Sequence, residues 1–270
     1  MNPSEPSPVP TPRPYPGFAQ SLLVVFLWTL LTWLLTLPSL RLSDLNHPGW
    51  AAWTLLLGQL GGTLLVLKVC LPLGQKAWKD ACPTASVPLG VWPVLLVTMA
   101  GLILVISGVD GWLAHLMPPS AWIRQTLTKV SWPSAVLGAP LAEESLFRGL
   151  ILGGFVLRYG ARRAIAYSTL LFAFVHLNPW QFPTVLALGM ALGWLTLRTG
   201  SLWPAVFAHA LNNLTVALAQ AYRIPYLADD RFQPFWMWAL GFLLLGLGLA
   251  ALARVTSDLP APESAAGEAV

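Results

Sequence analysis

Apolar and polar positions follow one another along the chain in long blocks. Stretches of mostly apolar residues are separated by short segments that hold most of the charges and many prolines. A helix needs about 20 apolar residues to cross the hydrocarbon core of a bilayer. The pattern predicts membrane helices over residues 18–38, 50–71, 91–117, 133–157, 162–178, 183–198, 201–222 and 233–254. The fifth and sixth stretches are short, and the sixth fits a tilted or partly spanning helix. We expect an all-α, polytopic membrane protein with about eight transmembrane helices.

The two ends of the chain differ in composition from this apolar region. Seven prolines lie within the first 16 residues, a composition typical of extended, disordered segments. The C-terminal residues are small and polar. We predict a disordered proline-rich tail over residues 1–17, one helical membrane domain over 18–255, and a flexible tail over 256–270.

The overall composition favours the membrane class over a soluble domain. Hydrophobic residues make up 56% of the 270 and charged residues only 10%, whereas a soluble domain has about 25% charged residues. The net charge of +4 is spread over short segments without a basic run. This distribution argues against a nucleic-acid partner and leaves the lipid bilayer as the expected surroundings. The short loops and the proline-rich tail favour a bacterial protein of the cytoplasmic membrane.

Two adjacent glutamates lie inside the fourth apolar stretch, in the sequence LAEESLFRGLI. Ionised side chains at membrane depth are unfavourable and usually functional. Glu144 and Arg148 are four residues apart and share a helix face, which predicts an ion pair. Glu143 is rotated by about 140° from Arg148 and is the freer carboxylate, suited to act as a general base. A purely structural interpretation is a buried ion pair beside one interfacial glutamate.

Two further helices each carry a histidine with a partner four residues away. Phe172 and His176 share a face at the end of the fifth stretch, and His209 and Asn213 share a face within the seventh. A single histidine at a helix end is more often interfacial, and a histidine with an asparagine can simply bond a neighbouring helix. A carboxylate, two imidazoles and an amide on neighbouring helices can nevertheless carry out hydrolysis.

The patterns EExxxR, FxxxH and HxxxN, in this order on successive membrane helices, resemble the CAAX prenyl endoprotease and bacteriocin-processing family, the CPBP or Abi group. The resemblance covers about residues 133–222, a CPBP/Abi-like core. It implies an intramembrane glutamic-type endopeptidase without a cofactor. In that family pattern Glu143 and His176 activate a water, while His209 and Asn213 stabilise the oxyanion.

The resemblance also assigns supporting roles and a substrate class. Glu144 and Arg148 match the remaining motif positions and, with Phe172, are expected to support the site structurally. The expected partner is a peptide or lipidated-protein substrate in the membrane. Members of the family have also been labelled metalloproteases, which keeps a zinc-dependent version open with Glu143, His176 and His209 as ligands.

Two other function classes remain open from the sequence. A proton-coupled transporter could use Glu143 and the histidines as a relay, although transporters usually contain internal repeats and none is visible here. A non-enzymatic immunity or scaffold protein could keep the motif for its structure alone.

Overall fold

The structure is a computed structural model that describes residues 13–44, 48–120, 131–227 and 231–259. Its helices are α1 (Phe18–Asp44), α2 (Pro48–Leu73), α3 (Trp78–Ala81), α4 (Val91–Leu116), α5 (134–159), α6 (Ala161–Val175), α7 (Phe182–Thr199), α8 (Trp203–Ala221) and α9 (Phe235–Val255). Within these residues there is no β-strand, so the predicted all-helical membrane class is confirmed.

Five of the described helices, α1, α2, α4, α7 and α9, are long and apolar enough to cross a membrane. The other long helices, α5, α6 and α8, carry most of the residues of the predicted site. Helix α6 has only 15 residues, and the site residues lower the apolarity of α5 and α8. A count of about eight crossings therefore stays a prediction.

Small residues let the lipid-side helices pack closely in pairs. A Cβ atom on Gly58 of α2 would lie 2.7 Å from Thr36 Cγ2 of α1, and one on Gly62 would lie 2.6 Å from Thr32 Oγ1. These glycines are one helical turn apart, as in the small-xxx-small contacts of membrane helices. Helices α4 and α9 pack similarly. The two pairs flank the core formed by α5 to α8.

Helix α5 is the centre of the fold and alternates between two helical forms. Its segments Ser134–Gly138 and Ser145–Ile151 are π-helical, while Ala139–Glu144 and Leu152–Tyr159 are α-helical. It contacts α2, α3, α6 and α8. π-Helical turns are rare and often occur at functional sites, and the two glutamates of the predicted site lie just before the second of them.

The segment between α2 and α4, a polar loop by sequence, contains the short helix α3 and closes one end of the bundle. A Cβ atom on Gly149 of α5 would lie 1.7 Å from the Ala81 carbonyl oxygen, so α3 rests directly on the α5 backbone. Further along, Leu202 N donates to the Pro83 carbonyl at 2.8 Å. Both contacts attach the segment to the helices that carry the site.

Gly149→Ala is expected to destabilise the protein by about 3 kcal/mol, because the added methyl group overlaps a backbone atom that cannot move alone. Gly153→Ala is the matched control on the same helix. Its Cβ atom would meet only Lys76 Nζ, at 3.5 Å, and alanine favours a helix by about 0.5–1 kcal/mol over glycine. Unfolding of the two variants in detergent, followed by circular dichroism, measures the difference; equal stabilities would contradict the α3–α5 contact.

The chain packs against the bundle before α1 begins. Arg13 N donates to the Gly74 carbonyl at 3.0 Å, and Phe18 N donates to the Tyr159 hydroxyl at 3.2 Å. The packed part of the protein thus includes residues 13–17, which the predicted boundary assigned to the tail. The remainder of both predicted tails, residues 1–12 and 260–270, lies outside the described residues.

Candidate active site

Glu144 is the fully buried centre of the predicted site. Its Oε1 atom accepts a hydrogen bond from Arg148 Nη1 at 3.1 Å, so the ion pair predicted from the spacing is present. The same oxygen is hydrogen-bonded to His209 Nδ1 at 2.8 Å. Because this single oxygen serves two partners, Glu144 ties the arginine of α5 to the histidine of α8.

Arg148 joins three helices. Its Nη2 donates to the Gly189 carbonyl of α7 at 3.2 Å, and its Cζ lies 4.2 Å from the centroid of the Phe172 ring of α6. A Cβ atom at position 189 would lie 2.9 Å from Thr169 Cγ2 and 3.2 Å from Arg148 Nη2. Gly189 therefore makes room for the guanidinium. Sequence reasoning missed it, since a lone glycine in an apolar helix has many explanations.

Glu143 lies next to Glu144, but its carboxylate has only a longer contact with His209. Its side chain is 17% exposed, and its Oε2 lies 3.9 Å from His209 Nε2, which is beyond hydrogen-bond distance. Among the described residues no group bonds to this Oε2 atom. The imidazole of His209 thus lies between two carboxylates, bonded to Glu144 through one nitrogen and facing Glu143 with the other.

His176 caps the C-terminal end of α6 and is half-buried. Its Nδ1 lies 2.7 Å from the Phe172 carbonyl oxygen. A carbonyl only accepts, so Nδ1 carries a proton, and in the neutral tautomer Nε2 then presents a lone pair. The Phe172 ring contacts His176 and His209 edge-on, with centroids 4.8 and 5.9 Å away. Phe172 thus packs against both histidines, as expected of a supporting residue.

The residue after His176 has an unusual backbone. Leu177 has a φ of 46°, in the left-handed region that costs a non-glycine residue about 1 kcal/mol or more. Its side chain is 90% exposed, so its own packing does not explain the conformation. The turn ends α6 directly at the histidine, which places the imidazole at the edge of the bundle.

Asn213 donates a hydrogen bond to a backbone carbonyl of α5 that a proline leaves without its helical donor. Ala139 N–H donates to the Ser134 carbonyl, five residues back, and Pro140 has no N–H to donate to the next carbonyl, that of Ala135. Asn213 Nδ2 supplies the missing donor at 2.8 Å. Of its two N–H hydrogens one is used here, which leaves the second for another acceptor.

Asn212, which sequence spacing placed on a different face from His209, contributes to the same group. It is buried, and its Nδ2 donates to Asn213 Oδ1 at 3.2 Å. This bond fixes which end of the Asn213 amide faces α5. Adjacent positions of a helix are about 100° apart, so helix geometry alone does not predict this contact.

The residues considered for a zinc site do not form a closed ligand set. Within the part of the chain that the structure describes, no three histidine, cysteine, aspartate or glutamate side chains are close enough together to hold a metal ion. Glu143, His176 and His209 therefore do not fit a zinc ion in this arrangement. We derive no catalytic step through a metal.

Comparison with known proteins agrees with this geometry. A family model described as type II CAAX prenyl endopeptidase Rce1-like matches residues 125–215, a range that contains all seven site residues predicted from the sequence. The match covers about a third of the chain and includes the segment that carries the site. Together with the apolar helices, this match makes the chain an integral membrane protein.

A curated protein is similar to part of the chain. The chain is 30% identical over 87 residues to the "Putative membrane peptidase YdiL" of Bacillus subtilis (strain 168). The aligned part covers 32% of this chain and 35% of that relative, so the chain matches about a third of the relative's length. No solved structure matches the chain.

Proposed function

We propose that the protein is an intramembrane endopeptidase of the glutamic type that hydrolyses a peptide bond of a membrane-associated peptide or protein. The observation that carries the proposal is the unequal bonding of the two adjacent carboxylates. Glu144 accepts two hydrogen bonds at Oε1 and none at Oε2, whereas Glu143 Oε2 accepts none from the described residues. The match to type II CAAX prenyl endopeptidases gives independent support for the activity class.

The first chemical step is the activation of water. Glu143 accepts a proton from the water as its oxygen attacks the carbonyl carbon, and the carbonyl electron pair moves to the carbonyl oxygen. His176 holds the same water through the lone pair at Nε2, since its Nδ1 is bonded to the Phe172 carbonyl. No serine or cysteine nucleophile takes part.

The second requirement is a pair of donors for the oxyanion. We assign this role to the unused N–H of Asn213 and to Nε2–H of His209 in its protonated state. With His209 protonated, the two cations Arg148 and His209 lie beside two anions, the adjacent glutamates. This balance limits the free-energy cost of burying the charges. Each preorganised donor contributes about 3–4 kcal/mol to the transition state. The proton on Glu143 then passes to the leaving nitrogen as the C–N bond breaks.

The substrate class follows from the surroundings of the site. Its residues lie on helices of a membrane domain, so the substrate is a peptide, lipidated or unlipidated, that is already in the membrane. The short loops between most helices leave little room for a separate soluble binding domain. We place the protein in a bacterial cytoplasmic membrane.

The proposed mechanism predicts that cleavage does not depend on a bound metal. Purified protein in liposomes is incubated with a library of lipidated and unlipidated peptides, with and without a zinc chelator, and the products are identified by mass spectrometry. The wild-type protein is expected to cleave equally well in both conditions.

Two other outcomes of this experiment would contradict the proposal. Loss of cleavage on chelation, with recovery on adding zinc, would overturn the metal-free mechanism. Absence of cleavage across the library by folded wild-type protein would overturn the proposed function and favour transport or a non-enzymatic role.

A further inference from the structure

Gln59 is a polar side chain at membrane depth that lies outside the segment matched by the family model. It is 11 residues after the start of α2 at Pro48, or about 16 Å along the helix axis. A side-chain amide at this depth needs hydrogen-bond partners, because lipid offers none. Its contacts therefore indicate what α2 contributes to the fold and to the site.

The carbonyl end of the Gln59 amide is held against the first turn of α5. Its Oε1 accepts a hydrogen bond from Ser134 Oγ at 2.8 Å, and Ser134 is buried. One turn later, a Cβ atom on Gly138 would lie 2.5 Å from the same oxygen. The glycine thus leaves the space in which the amide of Gln59 lies.

The nitrogen end of the amide has no such partner. None of the residues that the structure describes accepts a hydrogen bond from Nε2, and the side chain is only half-buried. Two N–H donors therefore reach accessible space at a depth where water is scarce. The bond from Ser134 to Oε1 fixes the direction in which these donors point.

The position of Gln59 relative to the site fits a peptide ligand. Ser134 bonds to Gln59, and the next residue, Ala135, accepts from Asn213, so amides from α2 and α8 meet the same turn of α5. Asn213 is one of the two oxyanion donors proposed above, so the amide of Gln59 lies beside the turn of α5 that also holds a group of the proposed site.

We propose that Gln59 is a substrate-binding residue whose Nε2–H groups donate to a backbone carbonyl of the substrate. The inference rests on the proposed endopeptidase function and deepens it. An extended peptide that enters a helical membrane protein must find donors for its carbonyl groups. A backbone contact of this kind favours extended substrates without selecting their side chains.

The test compares two variants that remove the same interhelical hydrogen bond. Gln59→Met removes the bond and the N–H donors, whereas Ser134→Ala removes the bond and keeps the donors. The probe is the peptide that the wild-type protein cleaves best in the library. We expect KM to rise about tenfold in Gln59→Met with kcat within about twofold, and KM to change by less than about threefold in Ser134→Ala.

A third variant separates binding from packing. In Gln59→Glu the carboxylate still accepts from Ser134 but offers no N–H when ionised, so KM is expected to rise as in Gln59→Met. Equal KM changes in Gln59→Met and Ser134→Ala, or an unchanged KM in both Gln59 variants, would overturn the inference while leaving the peptidase function intact. Absence of cleavage by the wild-type protein would overturn both.

Discussion

Glu143→Gln is expected to lower kcat for peptide cleavage by at least about a thousandfold, because the amide cannot accept the proton of the attacking water. The substitution keeps the size and shape of the side chain. Since Glu143 Oε2 lies 3.9 Å from the nearest histidine nitrogen and has no other partner among the described residues, little structure depends on its charge. The thermal unfolding midpoint is therefore expected to stay close to that of the wild type.

Asp110→Asn provides the control for this prediction. Asp110 is another carboxylate of an apolar helix, and it accepts a hydrogen bond from Thr184 Oγ1, which an asparagine oxygen can also accept. Full activity in Asp110→Asn beside inactive Glu143→Gln would assign the loss to one carboxylate rather than to a change of charge in the membrane. Glu143→Gln activity within about tenfold of the wild type would exclude Glu143 as the general base.

Arg148→Met is expected to destabilise the protein by about 3–5 kcal/mol, the usual effect of removing one partner of a buried ion pair. The Arg148 side chain has 0% exposure and contacts Glu144, the Gly189 carbonyl and the Phe172 ring. Methionine fills part of the volume but leaves the carboxylate of Glu144 with only His209 as a partner. Chemical unfolding in detergent micelles measures the loss.

Two companion variants of Arg148 separate charge from geometry. Arg148→Lys keeps the cation but not the planar group with its two bonded nitrogens, so an intermediate loss is expected. Adding Glu144→Gln to Arg148→Met removes both charges and is expected to recover part of the stability, since no unpaired charge remains. Wild-type stability in Arg148→Met would show that the three-helix junction at Arg148 does not hold the core together.

The parts of the site that could be predicted from the sequence are those within one helix. The spacing of Glu144 and Arg148 sets their relation through the geometry of a single helix, so their ion pair followed from the sequence alone. The same geometry separated Glu143 from Arg148. The spacing of Phe172 and His176 predicted a shared face, and the two side chains are in contact.

Contacts between helices could not be predicted in this way. The sequence did not predict that His209 Nδ1 is bonded to Glu144, because the distance between α5 and α8 depends on the packing of the whole core. The partnership of Asn213 with the Ala135 carbonyl depends on a π-helical turn next to Pro140. Gly189 and Gln59 were missed for the same reason.

The number of membrane crossings illustrates a second limit. Length and apolarity identify α1, α2, α4, α7 and α9 as helices that could cross a membrane. Helices α5 and α8 are less apolar because they carry polar side chains of the site, and α6 is short. A hydropathy pattern is therefore weakest for the helices on which the function depends.

The most direct test of the roles proposed for the two glutamates compares Glu143→Gln with Glu144→Gln in peptide cleavage and in stability. The two glutamates are adjacent and the substitution is the same, so the comparison isolates position. We expect that Glu143→Gln loses cleavage and keeps stability, whereas Glu144→Gln loses stability by about 3 kcal/mol or more because Arg148 is left uncompensated. The reverse pattern, or equal effects of both substitutions on both measurements, would contradict the division between a catalytic and a structural carboxylate.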